Sequence, residues 1–155
     1  MGPVVARKER RRSVTGRMIV LDTNVVSEIV KAQPHPSVVS WWSAHDSQSY
    51  FITTVTVAEL LQGVNNSPAG RKSDELAEMV LEAIDFFGER VLEFDMIAAT
   101  ECANLRSLRA GQGRPISVPD AMIAATAVAA EADAIATRDR GLHSVGIPVV
   151  DPWAA

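Results

Sequence analysis

The sequence is poor in cysteine and in aromatic residues. Cys102 is the single cysteine among 155 residues, which excludes an internal disulfide and a cysteine-based zinc cage and suits a reducing compartment. Aromatic residues make up 5% of the chain, whereas 47% of it is hydrophobic. The core must therefore be built from Val, Ile, Leu and Ala, which are typical of buried parallel strands covered by helices. This composition favours an α/β fold.

Long hydrophobic runs are also missing from the sequence. A transmembrane helix needs about 18 or more consecutive apolar residues, and the chain contains no such run. The basic N-terminal segment resembles the start of a signal peptide. However, the apolar stretch from Met18 to Leu21 is cut by Asp22 and Asn24 and has no small-residue cleavage site. We therefore expect a cytoplasmic protein with no membrane partner.

Charge is distributed unevenly along the chain. Residues 1–17 hold six Lys or Arg and one acid, whereas residues 18–155 hold nine Lys or Arg and eighteen Asp or Glu. The first composition predicts a disordered basic arm over 1–17, and the remainder predicts one domain over 18–155. An acidic domain repels nucleic acid unless a metal ion or a basic patch reverses the field locally.

Short apolar runs alternate with longer amphipathic segments, which is typical of βα units on a parallel sheet. Strands are predicted at residues 18–21, 50–53, 91–94, 134–136 and 149–150. Helices are predicted at residues 25–30, 37–42, 56–64, 69–88, 95–110 and 118–130, with Ser37 as the cap of the second. The pattern predicts a central parallel sheet of four to five strands flanked by helices.

Four acids occur near the junctions of strand-like runs and helices: Asp22, Glu59, Asp120 and Asp139. Because the carboxyl ends of parallel strands lie on one edge of a sheet, these acids can converge there. Asp22 and Asp120 stand in apolar surroundings with no adjacent Lys or Arg, and burying an unpaired carboxylate costs several kcal/mol. Oxygen ligands without a His or Cys cluster point to Mg²⁺ or Mn²⁺, and such an ion suits a phosphodiester substrate.

Each acid also has a purely structural interpretation. These are a capping box for Thr56 with Glu59 and for Ser117 with Asp120, an N-cap for Asp22 and a turn for Asp139. The neighbouring Thr23, Asn24 and Thr137 either order water or phosphate or act as plain caps. Capping and catalysis do not exclude each other, so both interpretations stay open.

The segment from Met18 to Glu28 resembles the opening of PIN-domain proteins of the VapC/FitB toxin type. Four further segments match the same family in order and at its spacing: 56–63, 119–125, 136–139 and 150–153. The resemblance covers essentially all of residues 18–155. It implies the three-layer PIN fold, with a parallel sheet between layers of helices.

This resemblance also implies a function and a set of site residues. It implies a Mg²⁺- or Mn²⁺-dependent ribonuclease, the toxin of a type II toxin–antitoxin pair. Asp22, Glu59, Asp120 and Asp139 match the acidic quartet of the family, with Asp22 and Asp120 as the firmest metal ligands, and Thr137 matches its small hydroxyl residue. The implied partners are RNA, a cognate antitoxin, a second copy of the chain, possible larger toxin–antitoxin assemblies, and operator DNA through the antitoxin.

Two alternatives remain beside the ribonuclease. One is a PIN-fold partner with little turnover, which acts mainly by joining its antitoxin in an operator-binding complex. The enzyme is favoured over it because all four acids are present. The other is a phosphohydrolase of the haloacid dehalogenase type, which ranks lower because Asn24 stands where that chemistry needs a second acid.

Other side chains are candidates for contacts with partners. Arg106, Arg109 and Arg114 precede Asp120 and are either phosphate contacts or solvated surface. Trp41 and Trp42 are adjacent, so a helix cannot turn both towards one core. We expect one of them to be partly exposed, either in an antitoxin groove or dimer interface or in simple helix packing.

Overall fold

A computed structural model describes residues 16–155 of the chain. Except for Gly16 and Arg17, the expected basic arm at 1–17 lies outside these residues. The elements in chain order are β1 (Ile19–Leu21), α1 (Thr23–Ile29), α2 (Pro36–Ser43), β2 (Tyr50–Thr53), α3 (Thr54–Asn65), α4 (Arg71–Phe87), β3 (Val91–Leu92), α5 (Met96–Gly111), α6 (Val118–Ala129), β4 (Ala134–Ala136) and β5 (Val149–Val150).

The five strands form one parallel sheet in the order β3-β2-β1-β4-β5. Ile19 at the start of β1 pairs with Tyr50 on one side and with Ala134 on the other. The chain extends from β1 in one direction through β2 and β3, and it continues in the other direction through β4 and β5. Strands β1 and β4 therefore flank the switch point of the topology, where α/β sheets open a crevice at their carboxyl ends.

Two cores cover the two faces of the sheet. Successive side chains of a strand point to opposite faces, so Ile19 and Leu21 enter one core while Val20 enters the other. Helices α1 to α4 supply the first core, and α5 and α6 supply the second. The alanines of α6 are almost all buried, which lets this helix pack closely on the sheet. The expected α/β class and three-layer PIN-like architecture are confirmed.

Several predicted element ends differ from the observed ones. Helix α2 is capped by His35, whose Nδ1 accepts from the amide of Ser37, so the prediction of Ser37 as the cap is wrong. Strand β3 ends at Leu92 rather than at residue 94, because Phe94 N donates to the side chain of Thr54 and Asp95 N donates to Glu93 O at 3.0 Å in place of strand pairing. Strands β2, β4 and β5 have the predicted bounds.

None of the helices within residues 16–155 has the length and the apolar character needed to cross a lipid bilayer.

Arg109 has a structural place that its sequence context does not suggest. Its side chain is buried, with 4% of the residue exposed, so the expectation of a surface phosphate contact at this position is wrong. The guanidinium donates to the backbone carbonyls of Arg114 at 2.9 Å, His143 at 3.0 Å and Gly141 at 3.3 Å. It thus ties the end of α5 to the loop that follows β4.

Replacing Arg109 tests this tie. Arg109→Ala leaves three carbonyls without their donor, and we expect it to lower the free energy of unfolding by about 2–4 kcal/mol. Arg109→Lys keeps the charge but loses the planar fork that reaches three carbonyls, and it should lose a large part of the same stability. Urea unfolding followed by circular dichroism measures both.

The control is Arg106→Ala, which removes an exposed arginine from the same helix. It should change the free energy of unfolding by no more than about 0.5 kcal/mol. Equal losses for the two alanine variants would contradict the structural role of Arg109.

Candidate active site

Asp22 directly follows β1 and begins α1. Its backbone N–H donates to Ala136 O at 3.0 Å, continuing the β1–β4 ladder, and its Oδ1 accepts from Thr23 N at 2.7 Å as the N-cap of α1. Its Oδ2 accepts from Thr137 Oγ1 at 2.7 Å and from Asn24 Nδ2 at 3.0 Å. Only 4% of the residue is exposed. The carboxylate is therefore fixed at the switch point by residues that follow both β1 and β4.

The environment of Asp22 disfavours its charge. Burial raises the pKa of Asp22 to about 6, although the hydrogen bonds from Thr137 and Thr23 act in the opposite direction. The charges of Asp120 and Glu59 raise it further. Within residues 16–155 no Lys or Arg forms an ion pair with this carboxylate. Neutral donors alone hold a negative charge that two other acids repel.

Glu59 reaches the site from α3. The capping box predicted for Thr56 with Glu59 is wrong, because the cap of α3 is Thr53, whose Oγ1 accepts from Thr56 N at 3.1 Å. Glu59 instead lies in the second turn of the helix and accepts a hydrogen bond of 2.7 Å from Thr23 Oγ1. Thr23 thus links the residue after β1 to the acid on α3.

Asp120 lies in the first turn of α6. Ser117 caps the helix as expected, since its Oγ accepts from Asp120 N at 3.3 Å, but the return bond of the predicted capping box, from Ser117 N to the Asp120 carboxylate, is not formed within residues 16–155. The bond that is formed uses the backbone of Asp120, and the half-buried carboxylate acts on the pKa of Asp22. Here one residue both contributes to a cap and carries a charge at the sheet edge.

Asp139 is connected to the same edge through Thr137. Its backbone N–H donates to Thr137 Oγ1 at 2.9 Å, while its own Oδ1 accepts from Gly141 N at 2.7 Å in the turn predicted for it. A Cβ added to Gly141 would lie 3.1 Å from that oxygen, so the glycine permits a close approach. The Asp139 side chain faces its own turn, unlike those of Asp22 and Glu59.

The side chains fit a hard cation by their chemistry. In the part of the chain that the structure describes, no three His, Cys, Asp or Glu side chains are grouped closely enough to surround a metal ion by themselves. Mg²⁺ does not require such a cage, because it keeps several waters and is usually bound through one or two carboxylates. Beside Asp22, Asn24 Oδ1 is buried and has no hydrogen-bond partner among residues 16–155. A buried carboxylate without a cation and an adjacent oxygen without a donor form a donor set suited to Mg²⁺ or Mn²⁺.

One arginine near the site was not singled out from the sequence. Arg138 stands between Thr137 and Asp139, and its Cζ lies 4.9 Å from the centre of the Trp153 ring. The sequence signal for it was its place in the segment 136–139, which matches the family. Its contact with Trp153 could not be predicted from the local sequence, because that ring is fifteen positions away in the chain.

The two adjacent tryptophans have different environments. Trp41 is buried and Trp42 is partly exposed, which confirms the prediction that one of the two would be partly exposed. Trp42 stacks on Tyr50 with ring centres 4.2 Å apart. Trp42 lines an apolar groove between α1, α2 and α4, which has a volume of about 350 Å³. Val26, Ile29 and Phe86 also line this groove, and 47% of Phe86 is exposed.

Comparisons with known proteins agree with the observed fold. The family model of the PIN domain matches residues 19–148. The chain is 38% identical to the VapC ribonuclease Y4jK of Sinorhizobium fredii, over 88% of this chain and 98% of that protein. It is 37% identical to the toxin FitB of Neisseria gonorrhoeae, over 88% of this chain and 99% of that protein.

A solved structure of FitAB bound to an IR36 DNA fragment has the same fold. Its matching chain is 36% identical, with a TM-score of 0.80, over 88% of this chain and 96% of that one. The family match spans most of the chain, and these relatives are matched almost end to end. The chain therefore belongs to the PIN domain family, within its VapC/FitB toxin group.

Proposed function

We propose that the protein is a metal-dependent endoribonuclease and the toxin component of a type II toxin–antitoxin module. The observation that carries the proposal is Asp22, a buried carboxylate with a raised pKa, no cationic partner among residues 16–155 and two acids within electrostatic range. A charge so placed is costly unless a cation binds there. The ribonuclease name of one close relative supports RNA as the substrate.

In this proposal the residues of the site have separate roles. Asp22 and Asp120 hold Mg²⁺ or Mn²⁺, and Glu59 and Asp139 act directly or through water. When bound, the ion lowers the pKa of a water and neutralises charge that develops on the phosphoryl group. Thr137 fixes the orientation of Asp22 by its hydrogen bond of 2.7 Å.

Two neutral residues complete the proposed site. Thr23 fixes Glu59 through its hydroxyl group, which donates to Glu59 Oε1 at 2.7 Å. Asn24 donates its amide N–H to Asp22 and to Thr137, so its own unpartnered oxygen would hold the ion or accept from a water bound to it. Both residues follow Asp22 directly in the first turn of α1, so one segment supplies a ligand and its supports.

The proposed protein partner is a cognate antitoxin. A relative of this chain was solved as FitAB on DNA, which supports operator binding through a partner protein. The groove between α1, α2 and α4 has an apolar surface suited to an apolar segment of such a partner. The homodimer and larger assemblies stay predictions, to be measured by light scattering of the purified protein alone and with its antitoxin.

A second candidate function is a PIN-fold subunit that acts mainly within an operator-binding complex. The observation that favours it is the same DNA-bound relative. The two functions differ in one property that can be measured, which is whether the carboxylates cleave RNA when a divalent cation is supplied.

RNA cleavage tests the first proposal. The purified protein should cleave a mixed pool of structured RNA with Mg²⁺ or Mn²⁺ and stop when EDTA is added. Asp22→Asn and Asp120→Asn each remove a proposed ligand, and we expect either to lower the cleavage rate by about 100-fold or more. In thermal unfolding, Mn²⁺ should stabilise the wild type and not Asp22→Asn.

The control for these variants is Asp46→Asn. Asp46 also caps a short helix, accepting from Gln48 N at 2.9 Å, but it precedes β2 and so lies towards the opposite edge of the sheet. It should cleave like the wild type. If the wild type leaves RNA intact with both metals, the ribonuclease proposal is wrong and the operator-binding function takes its place.

The raised pKa of Asp22 predicts a pH-dependent stability for the metal-free protein. The folded state binds the proton of Asp22 more tightly than the unfolded chain does. The contribution of this proton to the free energy of unfolding is therefore fully present below about pH 4 and is lost as the pH rises through about 6. The shift from 3.8 to about 6 corresponds to a loss of about 3 kcal/mol. Asp22→Asn removes the charge, so the free energy of unfolding of this variant should exceed that of the wild type by up to about 3 kcal/mol near pH 7.5 in EDTA.

Urea unfolding of both proteins over a range of pH measures this difference. By about pH 4.5 the gap between Asp22→Asn and the wild type should shrink to about a third, because most of the wild-type carboxyl groups are then protonated when folded. A gap that is equal at both pH values would contradict the assignment of the charge to Asp22.

A further inference from the structure

The side chain of Arg138, which stands between Thr137 and Asp139 in the chain, lies over an aromatic ring. Its Cζ lies 4.9 Å from the centre of the Trp153 ring, within the range of a cation–π interaction. The ring is itself fixed, because Trp153 packs against the core on the α1 side of the sheet and its backbone N–H donates to Asp151 Oδ1 at 2.9 Å. The guanidinium therefore rests on a support that belongs to the fold.

The backbone on both sides of Arg138 is fixed as well. Thr137 N donates to Val150 O at 2.9 Å, and its hydroxyl group donates to Asp22. Asp139 N donates back to Thr137 Oγ1 at 2.9 Å. Arg138 thus follows the residue that touches Asp22, with consecutive Cα atoms about 3.8 Å apart.

Of the eight other arginines and lysines in residues 18–155, four are engaged elsewhere. Lys31 and Arg71 form ion pairs within their own helical segments, and Arg109 donates to backbone carbonyls. Arg90 likewise donates to the carbonyls of Ser47 and Tyr50. Arg138 is exposed and forms no ion pair with any residue in the described range 16–155. A ring face attracts its charge without occupying the N–H donors, which remain available to an anion.

The charge of the domain favours such a cation for RNA binding. Residues 18–155 carry eighteen acids and nine bases, and the charges of Asp120 and Glu59 both act on Asp22 at the sheet edge. A phosphodiester chain is repelled by this field unless a local cation pairs with its phosphates. Arginine pairs with phosphate through two parallel hydrogen bonds, which also fixes the position of the chain.

We propose that Arg138, supported by Trp153, is an RNA-binding residue that pairs with a phosphate flanking the bond to be cleaved. The side chain of Thr137 is directed to Asp22, whereas that of Arg138 lies on Trp153, so the two reach different positions. Arg138 therefore contributes to RNA binding and not to the chemical step. This inference rests on the proposed ribonuclease function.

RNA binding without cleavage tests the proposal. The probe is a fluorescent single-stranded RNA of mixed sequence, followed by anisotropy with the Asp120→Asn protein in EDTA. In this background Arg138→Ala should weaken binding by about five- to tenfold and lower the slope of log K against log salt by about 0.7, as expected for one lost contact with single-stranded RNA. Arg138→Lys should keep the salt slope but bind about threefold more weakly, since an ammonium group lacks the planar fork.

Two further variants separate this role from general charge and from folding. Arg71→Ala removes the same charge from an exposed position on α4 and should change binding by less than about twofold. Trp153→Phe keeps an aromatic core residue with a weaker attraction for cations, and it should weaken binding while the salt slope stays unchanged. If Arg138→Ala binds RNA no worse than Arg71→Ala, the proposal is overturned.

Cleavage kinetics distinguish a failure of this inference from a failure of the proposed function. With the carboxylates intact, Arg138→Ala should raise KM about fivefold and change kcat by less than about twofold. A protein that cleaves RNA with unchanged KM in this variant refutes the role of Arg138 and leaves the ribonuclease intact. A protein that binds RNA through Arg138 but never cleaves it refutes the ribonuclease alone.

Discussion

The hydrogen bond of 2.7 Å between Thr137 and Asp22 joins the two halves of the molecule. Asp22 follows the first strand and Thr137 follows the fourth, so the bond spans the point where the order of the sheet reverses. The carboxylate of Asp22 also caps helix α1, and the hydroxyl group of Thr137 also accepts a hydrogen bond from the backbone N–H of Asp139. A displacement of either residue would therefore move the strands, the first helix and the acidic residues together.

This arrangement places an electrostatic cost where the fold is most rigid. Around Asp22 the strands β1, β2 and β4 are fully buried, and their apolar packing supplies the stability that a buried charge removes. Elsewhere in residues 16–155 the buried polar side-chain atoms have hydrogen-bond partners, as Arg109 has in its three carbonyls. In most of a protein the local propensities, the packing and the hydrogen bonding favour the same fold, and exceptions tend to occur at functional sites. Here the exception is a carboxylate with no cation and an asparagine oxygen with no donor.

Hydrophobic pattern sufficed for the strands but not for the details of the site. Strand β4 consists of three apolar residues and has the bounds predicted for it, because all three of its residues are buried. Caps were less predictable, since Thr53 and Thr56 are equally suitable residues and only the packing of α3 chooses between them. Arg109 was expected at the surface, as a phosphate contact or a solvated residue, because it lies near the helix end and the loop that precede Asp120. Its three acceptors come from loops up to 34 residues away, which no local pattern reveals. The convergence of the acids was predictable from parallel topology, whereas the separate orientation of Asp139 depends on a close contact with Gly141.

Trp153 explains how one edge of the sheet can carry acidic residues and an arginine that do not neutralise each other. Arg138 and Asp139 are adjacent, and an ion pair between them would neutralise the charges that the proposed contacts with a phosphate and a metal ion require. That pair is not formed in the described structure, because Asp139 accepts from Gly141 and the guanidinium lies on Trp153. An aromatic face holds a cation without neutralising it, unlike a carboxylate. The segment around Trp153, which packs beside β5 and the first core, thus keeps opposite charges apart at the edge of the sheet where the proposed site lies.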